Sequence, residues 1–96
     1  MKSFVLKALG HEWKVRIVKK HKGLLAKDDA CILYPEHSII IRSTLTDGEQ
    51  RSKLLHELIH MVLDYNHIKL QGDEEDVIMP LETGLFAIIH DNELRF

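Results

Sequence analysis

The sequence predicts an α+β fold: a small N-terminal antiparallel sheet of hairpins, then two helices. Two observations predict it. Apolar residues alternate with a period of two through the first half, and in the second half they recur at i, i+3 and i+4. Strands that precede helices, instead of interleaving with them, separate the two kinds of element in space.

In chain order, "KSFVLKAL" and "EWKVRIVKK" flank Gly10-His11, and Trp13, Val15 and Ile17 alternate with Lys14 and Arg16. That is a hairpin with one face on the core. "CILY" and "SIIIRS" flank Pro35-Glu36-His37, a short turn with proline at a favoured position, and predict a second hairpin. "HSIIIRS" reads as an edge strand to which an extended peptide could add. Its alternative is a central strand, with Ile39, Ile40 and Ile41 buried on both faces.

Thr46-Asp47-Gly48-Glu49 fits a capping box, threonine at the N-cap and glutamate at N3. Leu54, Leu55, Leu58, Ile59, Val62 and Leu63 then mark a buried helical face. Residues 66–72 break the pattern. Asp73 opens a second helix, with Val77, Ile78, Leu81, Leu85, Ile88 and Ile89 on one side. Pro80 removes one hydrogen bond there and crowds the Asp76 carbonyl, so a kink or a late start is expected.

Composition narrows the function. Ninety-six residues suit one domain, 1–96, near the lower end for folding without staples. A hydrophobic fraction of 45% and a charged fraction of 29% exclude disorder as the default. Thirteen basic against fifteen acidic residues, net −2, leave no nucleic-acid footprint, and Lys19-Lys20-His21-Lys22 reads as a solvated turn. No apolar run approaches the ~20 residues of a membrane span, and no signal-peptide core opens the chain. The single cysteine, Cys31, cannot close an internal disulfide, which suits a reducing cytoplasm. Within "ACILY" it reads as a buried structural thiol, not a nucleophile.

The chemistry lies in "LLHELIHMVLDY", residues 54–65. On a helix, His56 and His60 stand one above the other, so both imidazoles can reach one metal ion. Glu57 sits about 100° round the helix, placed to act on water beside that metal instead of ligating it. A chain with seven histidines and eight glutamates shows HExxH by chance in about four cases per hundred, so the five residues alone do not decide. Their position inside a capped helix, at the edge of an apolar face, does favour a site, because an unpaired imidazole there is costly. A glycine and histidine extension of the motif is excluded, since Leu63 and Asn66 occupy those positions. The third ligand is then a carboxylate from "GDEEDVIMPLE", which offers Glu74, Glu75, Asp76 and Glu82. Periodicity puts Glu74 in mid-stripe, Glu75 on its edge and Glu82 close to the side of Glu75. Tyr65, His67 and His90 are candidates for stabilising an oxyanion, each with a plainer reading as a surface or helix-end residue. His11, His21 and His37 fall in turns and read as exposed.

"RSKLLHELIHMVLDY" followed by "DEEDVIMPLETGLFAIIHDN" resembles the ImmA/IrrE-like zinc metallopeptidases, especially the short versions encoded by phages and prophages. The resemblance covers roughly residues 12–92. It implies a minimal zincin-like fold with Zn2+ held by His56, His60 and a glutamate, and Glu57 as the general base. The family's register chooses Glu75 as third ligand, ahead of Glu74 and then Glu82. Pro80 departs from the family's pattern. The resemblance further implies a cytoplasmic peptidase cutting a protein or peptide substrate, a repressor by family analogy. The alternative is a zinc-stabilised, non-catalytic module acting by contact with a regulatory protein.

Overall fold

The computed structural model describes residues 1–24 and 28–93. β1 (Phe4–Ala8) and β2 (His11–Val18) form the first hairpin, with Phe4 opposite Val15 and Ala8 opposite His11. Leu9 and Gly10 make its turn with φ of 51° and 80°, the left-handed pair whose twist matches that of the flanking strands. β3 (Ala30–Leu33) and β4 (Ser38–Arg42) form the second, also antiparallel, with Ala30 opposite Ile41. A 3-10 turn, Tyr34–Glu36, carries Pro35 near its start and ends on His37 in the left-handed region.

Both hairpins agree with the sequence reading, and the fold is α+β. What joins them differs from it. β2 and β4 pair in parallel, from Lys14 opposite Ser38 to Val18 opposite Arg42, so the sheet is mixed and its order is β1-β2-β4-β3. The edge strand expected at 38–42 is therefore corrected. β4 is interior and β3 holds the edge. Ile39, Ile40 and Ile41 are all fully buried, as a strand covered on both faces requires.

α1 (Asp47–Tyr65) begins with the expected capping box: Glu49 N–H donates to Thr46 Oγ1 at 3.2 Å, and Thr46 N–H donates to Glu49 Oε1 at 3.3 Å. Only part of the apolar face expected to be buried lies on the sheet: Leu55, Ile59 and Leu63 are half-buried and Val62 is 47% exposed. Met61 joins Trp13, Val15, Ile39 and Ile41 in the core, and Leu54 and Leu58 pack around them. Trp13 stacks on His37 with ring centroids 4.8 Å apart, so His37 is half-buried and not exposed as its turn position implied.

α2 (Glu75–Asp91) starts before Pro80 and runs through it, so the late start is not seen. Asp73 accepts from Glu75 N–H at 3.0 Å and helps to open the helix. α2 packs on α1, and the face that meets it is narrow. Ile78 and Glu82 are its only buried residues among those described. Val77, Leu81, Leu85 and Ile88, from the apolar side read in the sequence, are exposed, and so is Met79. The hydrophobic side of α2 has one helix, α1, packed against it among the described residues. No helix of the described residues is long and apolar enough to cross a membrane.

Candidate metal centre

The capped start of α1 sets the helical phase that turns His56 and His60 towards α2. From α2, Glu75, Ile78 and Glu82 return the contact, since positions i, i+3 and i+7 share a face. The helices run antiparallel across this seam: His56 meets Glu82, and His60 meets the start of α2.

Three side chains converge. His56 Nε2 lies 3.2 Å from His60 Nε2 and 3.2 Å from Glu75 Oε2, and His60 Nε2 lies 2.6 Å from Glu75 Oε1. One atom from each of His56, His60 and Glu75 falls within 4.8 Å of the others, a group placed for a metal ion. Ligands about 2.05 Å from a tetrahedral metal stand roughly 3.3 Å apart, which two of the three separations match. The outer ring nitrogens are engaged as well. His56 Nδ1 is 2.9 Å from Glu82 Oε1, and His60 Nδ1 is 3.3 Å from Glu74 Oε1. An ionised carboxylate only accepts, so with a cation at the shared point each Nδ1 would give its proton to the carboxylate behind it and each Nε2 would present a lone pair. Two Nε2 atoms and a carboxylate thus face one point, and a cation there would satisfy all three.

Of the glutamates the sequence offered, Glu75 alone reaches the two Nε2 atoms. Glu74 and Glu82 stand behind the histidines, and Asp76 is exposed. Glu57 lies beside this group. With His60, Asp64, Tyr34, Cys31, Asp28, Ala30 and Ile32 it lines a cleft of about 330 Å³ between α1 and the edge strand β3. Burial raises the Glu57 carboxyl above its ordinary pKa; His56 and His60 oppose the rise and Glu75 adds to it.

Tyr34 is the cleft residue that sequence reasoning missed. Its hydroxyl donates to Asp64, thirty positions away, and burial followed by that bond raises its pKa strongly. A tyrosine beside a proline turn carries no periodic signal. Cys31 is half-buried, its thiol donating to the Gly23 carbonyl at 3.4 Å, and burial followed by Glu57 pushes its pKa up, which suits an inert thiol. The oxyanion candidates lie elsewhere. Tyr65 and His67 line a separate hollow with Tyr34 and Asp64, and His90 is exposed at the far end of α2. His11, His21 and His37 are not among the metal-placed group.

No curated protein and no solved structure matches the chain. A family does. The model of the IrrE N-terminal-like domain, Peptidase_M78, matches residues 11–82, which takes in β2, β3 and β4, the HExxH helix and α2 as far as Glu82. With three quarters of its length matched, the chain belongs to this ImmA/IrrE-like family of metallopeptidase domains.

Proposed function

We propose that the chain is a zinc-dependent peptidase that cuts peptide bonds of a protein partner, with His56, His60 and Glu75 as metal ligands and Glu57 as general base. The observation that carries this reading is the convergence of two Nε2 atoms and one carboxylate on a single point, one residue from the half-buried Glu57. A zinc ion at that point supplies Lewis-acid polarisation of a carbonyl and brings the pKa of water towards ~7. Glu57 takes a proton from water in the cleft and returns it to the leaving amine. Its raised pKa suits a group that must both accept and release. The Tyr34 hydroxyl, kept protonated by burial and by Asp64, lines the same cleft as Glu57 and His60 and can turn from Asp64 to donate to the carbonyl oxygen. β3 ends the sheet, and its free edge receives the substrate as an added strand, the role the sequence had suggested for residues 38–42.

Metal content by elemental analysis, on protein purified without added metal, tests this reading. About one zinc per wild-type chain is expected, lost in Glu75→Ala and kept, more weakly, in Glu74→Ala. Glu57→Gln should hold its zinc and lose cleavage of an unfolded protein substrate. A wild-type chain that contains no zinc and takes none up would end the peptidase reading.

The apolar surface of α2 favours a second reading, a zinc-stabilised module acting by contact through Val77, Leu81, Leu85 and Ile88. Under it, Glu57→Gln would leave activity in place.

A further inference from the structure

We propose that Glu82 is a positioning residue for the metal centre, fixing the tautomer and ring angle of His56, with Glu74 doing the same more loosely for His60. The proposal rests on the zinc reading above and adds two residues that take no metal themselves.

Glu82 is 7% exposed, on a helix whose other carboxylates face solvent or the metal point. A carboxylate so buried is costly unless paired. It has two partners, both on α1: His56 Nδ1 at 2.9 Å and Lys53 Nζ at 3.7 Å. Lys53 and His56 are three apart and Glu75 and Glu82 seven apart, so each helix presents its pair on one face. α2 therefore delivers a ligand and, two turns on, the group that aims the opposite ligand. Ile78, fully buried between them, fixes the spacing.

The chemistry follows from what each atom can do. By accepting from Nδ1–H at 2.9 Å, Glu82 biases the His56 proton away from Nε2, against the more distant Glu75 Oε2 at 3.2 Å, and so keeps the Nε2 lone pair for the metal. The carboxylate also makes the imidazole more basic and hence a stronger ligand. Lys53 balances the carboxylate and discourages it from turning inward as a fourth ligand, which keeps a position open. For His60 the corresponding bond to Glu74 is longer, 3.3 Å, and Glu74 is a third exposed, so its hold is weaker.

Zinc titration against a competing chelating dye, on the full chain, tests this together with nitrogen-15 NMR of the histidine rings. Wild type should show His56 protonated at Nδ1 in the zinc-loaded form. Glu82→Ala should weaken zinc binding by about 10–100-fold and allow the other His56 tautomer in the zinc-free form. Glu82→Gln, whose amide oxygen still accepts from Nδ1–H, should recover most of the affinity and the tautomer. Glu74→Ala should cost less than Glu82→Ala. Leu54→Ala is the control for a merely structural role: it loosens α1 packing without touching the site, and should lower thermal stability while leaving the His56 tautomer unchanged. If wild type binds zinc and Glu82→Ala binds it equally well, with the His56 tautomer unaltered, positioning is refuted and the metal reading stands. If Glu82→Gln is as impaired as Glu82→Ala, Glu82 acts through charge and not by holding the proton, which also refutes it. If wild type binds no zinc, both fall.

Discussion

Ile78→Ala is expected to release α2 from the rest of the protein without unfolding the sheet. Ile78 is the one fully buried apolar side chain of α2, whereas Val77, Met79, Leu81, Leu85 and Ile88 are 40–55% exposed. Truncation removes about three buried carbons, roughly 2.4 kcal/mol at ~0.8 kcal/mol each. The cavity left behind raises this to about 3 kcal/mol. The helix has little else to hold it in the metal-free protein beyond the histidine–carboxylate contacts. Its local opening should thus become about 3 kcal/mol easier, which is roughly 100-fold. Native-state hydrogen exchange, on protein stripped of metal, reads this directly. Amides of α2 should exchange roughly 100-fold faster, while those of β4, locked between β2 and β3, keep their rates. Equal acceleration in β4 and α2 would show that the two unfold as one unit and would refute the reasoning. Adding zinc should slow α2 again, because Glu75 ties it to α1.

Tyr34→Phe keeps the ring and removes the hydroxyl, so kcat for peptide cleavage should fall by about 10²-fold with little change in zinc content; unchanged kcat would remove Tyr34 from the chemistry. Thr46→Ala deletes one half of the capping box and should cost about 1 kcal/mol, seen as a Tm lowered by roughly 4–8 °C. Asp47 pairs with the Met1 amine at 2.6 Å and with Arg51 at 2.7 Å, and the bonds from these two groups hold its pKa down to about 2. A depressed carboxyl stabilises the fold above its unfolded pKa and loses that effect as pH falls through its folded one. Stability should therefore drop between roughly pH 4 and pH 2, and Asp47→Asn should flatten that part of the acid titration, most visibly at low salt.

The sequence made some of this plain and hid the rest for identifiable reasons. Alternation at Trp13, Val15 and Ile17 marks a strand with one buried face, but it says nothing about the direction of the neighbouring strand. The parallel β2–β4 pair was therefore out of reach. Three consecutive isoleucines carried the information that β4 is central, through burial on both faces, and the edge reading set it aside in favour of proximity to the motif. At the site, helical angle places His56, Glu57 and His60 from sequence alone. It cannot separate Glu74, Glu75 and Glu82, because that depends on where α1 lies relative to α2. The family's register pointed to Glu75, and Glu75 is the one whose carboxylate meets both Nε2 atoms. Tyr34 and Asp64 meet only through the packing of the turn after β3 on α1, which no local pattern encodes.

The parallel joint between the hairpins also bears on how the chain folds. Each hairpin closes locally, with β1 and β2 separated by two residues and β3 and β4 by a short turn. Pairing β2 with β4 brings Lys14 to Ser38 and requires the whole intervening segment to close first. Loop closure of that length sets in before its contacts reward it, so docking of two preformed hairpins is the expected slow step. Trp13, the only tryptophan, sits on β2 at this joint and is fully buried once Ile39 and Ile41 of β4 and Met61 of α1 cover it. Its fluorescence is therefore a built-in clock for the closing of the sheet under α1, the surface on which α2 then rests.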